Sequence, residues 1–211
     1  MDTTEVFIED KKTSKLSVRT ITGCGMLSAI AFILMYLEFP VFFMPSFIKF
    51  DFSDLPGLIG AFAYGPIAGV IICLIKNLLH LAFSQSMFVG ELSNFILGAV
   101  FTFVAGLIYK VNKTKKRALV GGIIGAAVMG VFSVFSNYFF VYPVYYNFMP
   151  KEVIIEAYQI ILSKISGMVL TDILPCLLIF NLPFTIIKGL ISVAISMLIY
   201  KPLSVILKAN K

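Results

Sequence analysis

The sequence predicts an all-α integral membrane protein with six transmembrane helices and both termini in the cytoplasm. Three observations carry this. Hydrophobic residues make up 59% of the 211 residues and charged residues 13%, with a mean hydropathy of +0.98, more apolar surface than a soluble domain can hide. Apolar runs of about 20 residues, the length that crosses a bilayer, recur along the chain. Basic residues gather in segments that alternate between those runs.

The elements follow in order. Span 1 covers about Ile21 to Leu37. The apolar stretch Asp54 to Phe83 is too long for one ordinary span, and "YGP" (Tyr64 to Pro66) disfavours a continuous helix. It divides into a short span 2 and a span 3. Span 4 covers about Glu91 to Tyr109 and span 5 about Ala118 to Val141. The stretch from Tyr142 to Lys164, with Pro143 and Pro150, reads as an outer loop holding a short amphipathic helix. Gly167 to Phe180 is apolar but interrupted by Asp172 and Pro175, and is either a re-entrant piece or part of span 6. "NLPF" then breaks the chain before span 6, about Phe184 to Tyr200. The domain organisation is a cytoplasmic segment 1–19, one membrane domain 20–207 and a cytoplasmic tail 208–211. Its connections are an outer loop about 38–53, a cytoplasmic loop about 110–117 and an outer loop about 142–166.

Charge supports this topology. The cytoplasmic segments collect Lys11, Lys12, Lys15, Arg19, Lys110, Lys113, Lys115, Lys116, Arg117, Lys201, Lys208 and Lys211. The exterior holds Lys49, Lys76, Lys151, Lys164 and Lys188 beside Glu38, Asp51, Asp54, Glu91, Glu152, Glu156 and Asp172. The net charge of +6 therefore reads as positive-inside asymmetry, not as a nucleic-acid surface. With no tryptophan, the interfacial belt falls to Tyr36, Tyr109, Tyr142, Tyr145, Tyr146 and Tyr200. Cys24, Cys73 and Cys176 lie far apart in apolar stretches, as buried small hydrophobes do.

Catalysis has little to stand on. There is no Walker A pattern, no GxSxG elbow and one histidine, His80, so no HExxH metal pair. His80 reads as an interfacial residue at a span end. What remains is a set of polar residues near the outer ends of spans. Lys188, about one turn inside span 6, either snorkels to the headgroups or meets a ligand. Asn94 and Asn137 sit toward the same level, as helix glue or as ligand contacts. The first outer loop carries Phe47, Lys49 and Asp51 in alternation with Ile48, Phe50 and Phe52. A flat aromatic ligand suits a cleft lined by Phe42, Phe43, Met44 and Phe47. Ser53 or Asp54 can cap span 2, with Pro56 early in the helix. In span 1, Gly25 and Ala29, and likewise Cys24 and Ser28, are four apart, a spacing that lets a helix of this chain or of a second membrane protein approach closely.

Four stretches, "FIKFDFSDLPGLIGAFAYGPIAGVIICLIKNLLH", "GELSNFILGAVF", "SNYFFVYP" and "TIIKGLISVAI", resemble the riboflavin-specific S components of energy-coupling factor (ECF) vitamin transporters. The resemblance runs from span 1 to span 6. It implies six helices that bind riboflavin near the outer face, a bacterial cytoplasmic membrane location, and docking on a membrane T component that carries two cytoplasmic ATPases. It implies that Asn137 hydrogen-bonds the flavin ring, that Lys188 lies near the ligand, and that the first outer loop is a lid with Phe47, Lys49 and Asp51 near the pocket. Gly25 and Ala29 match a small-xxx-small contact motif of the family, with glycine in place of the first alanine. The family often has asparagine three residues before the lysine; here Thr185 stands there, and Asn181 is a further turn away. Threonine can still donate and accept one hydrogen bond. The full set of expected binding residues is Phe43, Met44, Phe47, Lys49, Asp51, Asn94, Asn137, Thr185 and Lys188, with Gly25 and Ala29 for partner docking. No catalytic residue, metal or cofactor is expected, riboflavin being the cargo. The alternatives are FMN or another vitamin as ligand, a self-sufficient secondary carrier, and a membrane enzyme, which lacks a visible nucleophile or metal cluster.

Overall fold

The computed structural model describes residues 18–84, 88–164 and 167–208, with side chains as far as residue 199. Most of the expected N-terminal segment, residues 209–211, and the side chains of Tyr200, Lys201 and Lys208 lie outside the described residues. Helix α1 spans Val18–Tyr36. The first loop then makes a small antiparallel hairpin, β1 (Phe39–Pro40) against β2 (Lys49–Phe50), with Phe39 opposite Phe50 and Pro40 opposite Lys49. This two-residue ladder is the one exception to helix among the regular elements described.

Helices α2 (Asp54–Tyr64) and α3 (Pro66–His80) divide at Gly65, as the "YGP" signal predicts. Gly65 has φ 105°, a conformation that glycine adopts at no steric cost, and Pro66 opens α3 where its missing N–H is harmless. The two helices fold back on each other: a Cβ on Gly57 would meet Cys73 Sγ at 2.9 Å, and one on Gly60 would run into Ile72. At 11 residues, α2 is about 17 Å long, well short of the ~30 Å hydrocarbon core of a bilayer.

Helix α4 runs Val89–Val111 and α5 Lys115–Ser136, with Thr114 capping α5 by accepting from Arg117 N–H. A π-helical turn, Asn137–Val141, joins α5 to α6 (Tyr142–Tyr145). Helix α7 spans Lys151–Leu162 and buries Ile154, Tyr158 and Leu162. Helix α8 (Ile173–Cys176), a second π-helical turn (Leu177–Asn181) and α9 (Leu182–Lys208) then form one continuous rod. The expected break at "NLPF" is absent. Leu182 N–H bonds back to Leu177 C=O, as Tyr142 N–H does to Asn137 C=O, and in each case a proline (Pro183, Pro143) follows at once. The widened turn accommodates the ring that would clash in a regular helix. Gly167 to Phe180 is thus divided: Asp172 accepts from Ile173 N–H and starts the helix that becomes the last span.

Among the described residues, five helical rods are long and apolar enough to cross a membrane: Val18–Tyr36, Pro66–Phe83, Val89–Val111, Lys115–Tyr145 and Ile173–Ile199. Two of the expected belt tyrosines are core residues instead. Tyr109 packs on Phe62 with ring centroids 4.8 Å apart, and Tyr142 is buried against Tyr158.

Close packing of α5 uses two glycine faces. An added Cβ on Gly121 or Gly125 would stand 2.9 Å from the α4 carbonyl oxygens of Ala105 or Phe101, while Gly122 and Gly130 face Val193 and Ile186 of α9. Small residues let backbones approach where lipid supplies no hydrophobic drive between helices. Gly125→Leu is expected to cost about 1–3 kcal/mol by overpacking against a backbone that cannot move aside, read as a lowered thermal midpoint in detergent.

Candidate ligand-binding site

The short α2 makes room for the site. Its first residue, Asp54, lies beside Gly98 of α4, where an added Cβ would be 2.8 Å from Asp54 Oδ1. Gly98 is about 14 Å along α4 from Val89 at 1.5 Å per residue. The loop therefore dips deep into the bundle before α2 begins, and carries carboxylates with it.

Those carboxylates meet two lysines. Lys188 Nζ donates to Asp51 Oδ2 at 2.9 Å and lies 3.3 Å from Asp54 Oδ2. Lys76 Nζ donates to Asp54 Oδ1 at 2.7 Å and to Ser53 Oγ at 2.5 Å. Ser53 Oγ donates to Asp51 Oδ1, Ser53 N–H does so at 2.8 Å, and Asn94 Nδ2 reaches Asp51 Oδ2 at 3.3 Å. All four charged residues are buried, Lys76 completely. Two positive and two negative charges cancel, which is the condition for keeping ions out of water. Burial works to raise the Asp51 carboxyl, but Lys188 and Lys76 outweigh it and hold the group well below the usual carboxylate range.

Asp51, Asp54 and Lys188 border a chamber of about 350 Å³, within the range of small-molecule sites, about 300–1,000 Å³. The loop lines it with Phe47, Lys49 and Asp51, α3 with His80, α4 with Glu91 and Asn94, and the α5 rod with Met129, Asn137 and Tyr142. The last rod adds Asn181, Phe184, Thr185 and Lys188. Each π-helical turn contributes one asparagine, Asn137 or Asn181, both buried. Asn137 Oδ1 accepts from Ser93 Oγ at 3.4 Å. Asn181 Oδ1 accepts from Tyr158 Oη at 2.6 Å, and the Tyr158 hydroxyl in turn pairs with Tyr142 Oη at 2.6 Å. Phe47 sets its ring edge-on to Tyr158, and Phe50 does so to Phe184, tying the loop to the rods around the chamber.

Of the expected binding residues, Phe47, Lys49, Asp51, Asn94, Asn137, Thr185 and Lys188 lie together on the chamber wall. Phe43 and Met44 do not. Met44 is buried in the aromatic layer beside the chamber, Phe43 packs edge-on to Phe184 at 6.4 Å, and Phe42 is 94% exposed. Lys49 pairs with Glu38 at 2.6 Å. Lys188 cannot snorkel as a residue one turn from a helix end would: the rod begins at Ile173, so Lys188 sits about four turns inside it. Asp54 spends its carboxylate on lysines and makes no cap. Lys76 and Glu91, read as exterior, are buried, and so is His80, read as interfacial, which lies 3.0 Å from Glu91. A lysine set within an apolar run, as in "CLIKNLL", is the signal that marks Lys76; nothing local marks Tyr158. On α1, Cys24 and Ser28 face the bundle, whereas Gly25 and Ala29 are exposed, with no atom of the chain within 4 Å of a Cβ added to Gly25.

The fold and its chamber define a multi-pass protein of the cell membrane with room for a small molecule. Comparison with known proteins supplies the family. Residues 19–200 match the model of the ECF transporter, substrate-specific component. The "Riboflavin transporter RibU" of Staphylococcus aureus is 37% identical over 87% of this chain and 89% of its own length. The "Riboflavin transporter FmnP" of Bacillus subtilis is 32% identical over 88% and 92%. A solved structure of "the S component of a bacterial ECF transporter" superposes with a TM-score of 0.68 at 36% identity, covering 90% of this chain and 98% of that one. The chain belongs to the family of ECF transporter substrate-specific components, and its relatives are transporters, not enzymes.

Removing one member of the charge cluster strands its partner. Lys76→Met is expected to cost about 3–5 kcal/mol, and Lys76→Met combined with Asp54→Leu distinctly less than Lys76→Met alone, as read from thermal unfolding of the purified protein in detergent.

Proposed function

We propose that this chain is the riboflavin-binding subunit of an ECF vitamin uptake transporter, which captures riboflavin at the outer face and delivers it by docking on a T component with two ATPases. The observation that carries the reading is the chamber itself, roofed by the aromatic loop, floored by the neutral charge cluster and walled by two asparagines on π-helical turns, in a chain whose relatives are named riboflavin transporters. In this reading α2 is a short sixth span, both termini are cytoplasmic, the 20–207 region is the membrane domain, and the 38–53 loop is a lid that excludes water and gates release. The binding residues are Phe47, Lys49, Asp51, Asn94, Asn137, Thr185 and Lys188, with Phe43 and Met44 supporting the lid from behind.

The purified protein should carry yellow flavin and quench riboflavin fluorescence with one-to-one stoichiometry. Colourless protein that leaves riboflavin fluorescence unchanged would reject the reading. The charge pattern also favours riboflavin over FMN. The two lysines on the chamber wall already pair with carboxylates, so a phosphate brings charge without a ready counter-ion. Competition titration should show FMN weaker by about tenfold or more, an estimate of one unpaired buried ionic contact.

The exposed face of Gly25 and Ala29 suits a partner helix. Gly25→Leu should leave riboflavin quenching unchanged, since the added side chain meets nothing in this chain, while lowering ATP-driven uptake in vesicles that hold the T component and ATPases. Uptake by vesicles holding this chain alone would favour a self-sufficient carrier.

A further inference from the structure

A second cavity, of about 300 Å³, lies at the other end of the bundle. Thr20 of α1, Tyr64 of α2, Pro66 of α3 and Lys110 of α4 line it. Each stands at the opposite end of its helix from the residue that lines the chamber, Met35, Asp54, His80 or Glu91. Along α4 alone, Asn94 and Lys110 are about 24 Å apart at 1.5 Å per residue. The proposed topology puts this end on the cytoplasmic side.

Backbone packing shapes the crevice. A Cβ added to Gly106 would stand 2.9 Å from Pro66 Cα, so α3 starts hard against α4. One added to Gly23 would run into the Tyr64 hydroxyl, so that ring reaches across to α1. Between these contacts the turn stays open, with nothing within 4 Å of a Cβ added to Gly65. The Ile67 N–H, in the first turn of α3, and the Tyr64 hydroxyl make no hydrogen bond to the described residues.

Charge decides what the crevice can hold. Lys110 and Lys113 both line it; both are exposed, and neither has an ion pair among the described residues. No acid is among the lining residues. None occurs in the sequence between Glu91 and Glu152 either, so the basic run from Lys110 to Arg117 has no local counter-charge. An anion is the ligand that fits. Lys115, Lys116 and Arg117 are also exposed but lie outside the crevice, which separates a site from diffuse charge. Apolar surface leads away from the two lining lysines. Ile67, Ile71, Leu74 and Leu78 stand exposed in one stripe along α3, and Phe103 and Leu107 are exposed on α4 in the two turns before Lys110. A ligand with a negative head and hydrocarbon tails meets both surfaces at once, and a basic pocket between helix ends at a membrane surface suits a phospholipid headgroup.

We propose that this crevice binds an anionic phospholipid, with the phosphate at Lys110 and Lys113 and the acyl chains laid along α3 and α4. The site stands independently of the riboflavin reading; its place in the inner leaflet rests on the proposed topology. The test is thermal unfolding of the delipidated full-length protein in neutral detergent, with dioleoyl phosphatidylglycerol or dioleoyl phosphatidylcholine added. Phosphatidylglycerol should raise the midpoint by about 3 °C or more at saturation, and phosphatidylcholine by distinctly less. Lys110→Gln with Lys113→Gln should raise the phosphatidylglycerol concentration for half the shift about thirtyfold, for two lost basic contacts. Lys110→Arg with Lys113→Arg should hold that concentration within about threefold of wild type, and so should Lys115→Gln with Lys116→Gln, which removes the same charge outside the crevice. Equal shifts from the two lipids, a double glutamine crevice variant within about threefold of wild type, or an equal loss from the Lys115 and Lys116 pair would each overturn the site. An equal shift from inorganic phosphate at the same concentration would overturn the lipid as its ligand.

Discussion

The cancellation of charge among Asp51, Asp54, Lys76 and Lys188 is the constraint around which this molecule is built. Four ions in a low-dielectric bundle are tolerable only as a neutral, hydrogen-bonded set, and the set draws its members from the first loop, α2, α3 and α9. It therefore fixes where the loop descends, where α2 begins and how the last rod is rotated. Ser53 and Asn94 complete it by satisfying the Asp51 carboxylate. Without the two aspartates the lysines would carry uncompensated charge at a depth they could not leave by snorkelling.

The shape of the chamber follows from that descent. Because the chain spends Glu38 to Ser53 reaching the cluster, α2 needs only 11 residues, and the space beside it is open between the long rods. The two π-helical turns then turn one asparagine each toward that space. A regular helix carrying proline at 143 or 183 would lose a hydrogen bond and meet a steric clash; the wider turn removes the clash and exposes an inward position. The same local irregularity thus answers a backbone problem and supplies the polar lining. Around it, the Tyr142, Tyr158 and Asn181 chain and the rings of Phe47, Phe50 and Phe184 lock the loop to the rods.

Much of this was open to reading along the chain. Hydropathy marks each long rod, the "YGP" signal marks the α2–α3 turn, and seven of the nine residues expected to bind share the chamber wall. The failures share a cause. Lys76, Glu91 and His80 read as surface residues because a charged or polar residue near a span end, taken alone, is cheapest there. Each is instead buried beside a partner that is 11 or 22 positions away in sequence. The proline in "NLPF" reads as a break because the wide turn that accommodates it leaves no signature in residue type.

By itself the sequence determined the membrane class and the number of long rods, though not where the last one begins, since both depend on transfer of side chains from water to lipid, a property that sums along the chain. It also determined which polar residues were costly enough to need an explanation. Only the tertiary structure decided which carboxylate meets which lysine, that the α5 glycines face α4 and α9, and that His80 pairs with Glu91. Those are matters of distance between segments remote in sequence, and electrostatic energy inside a bilayer-bound bundle depends on that distance rather than on the order of residues.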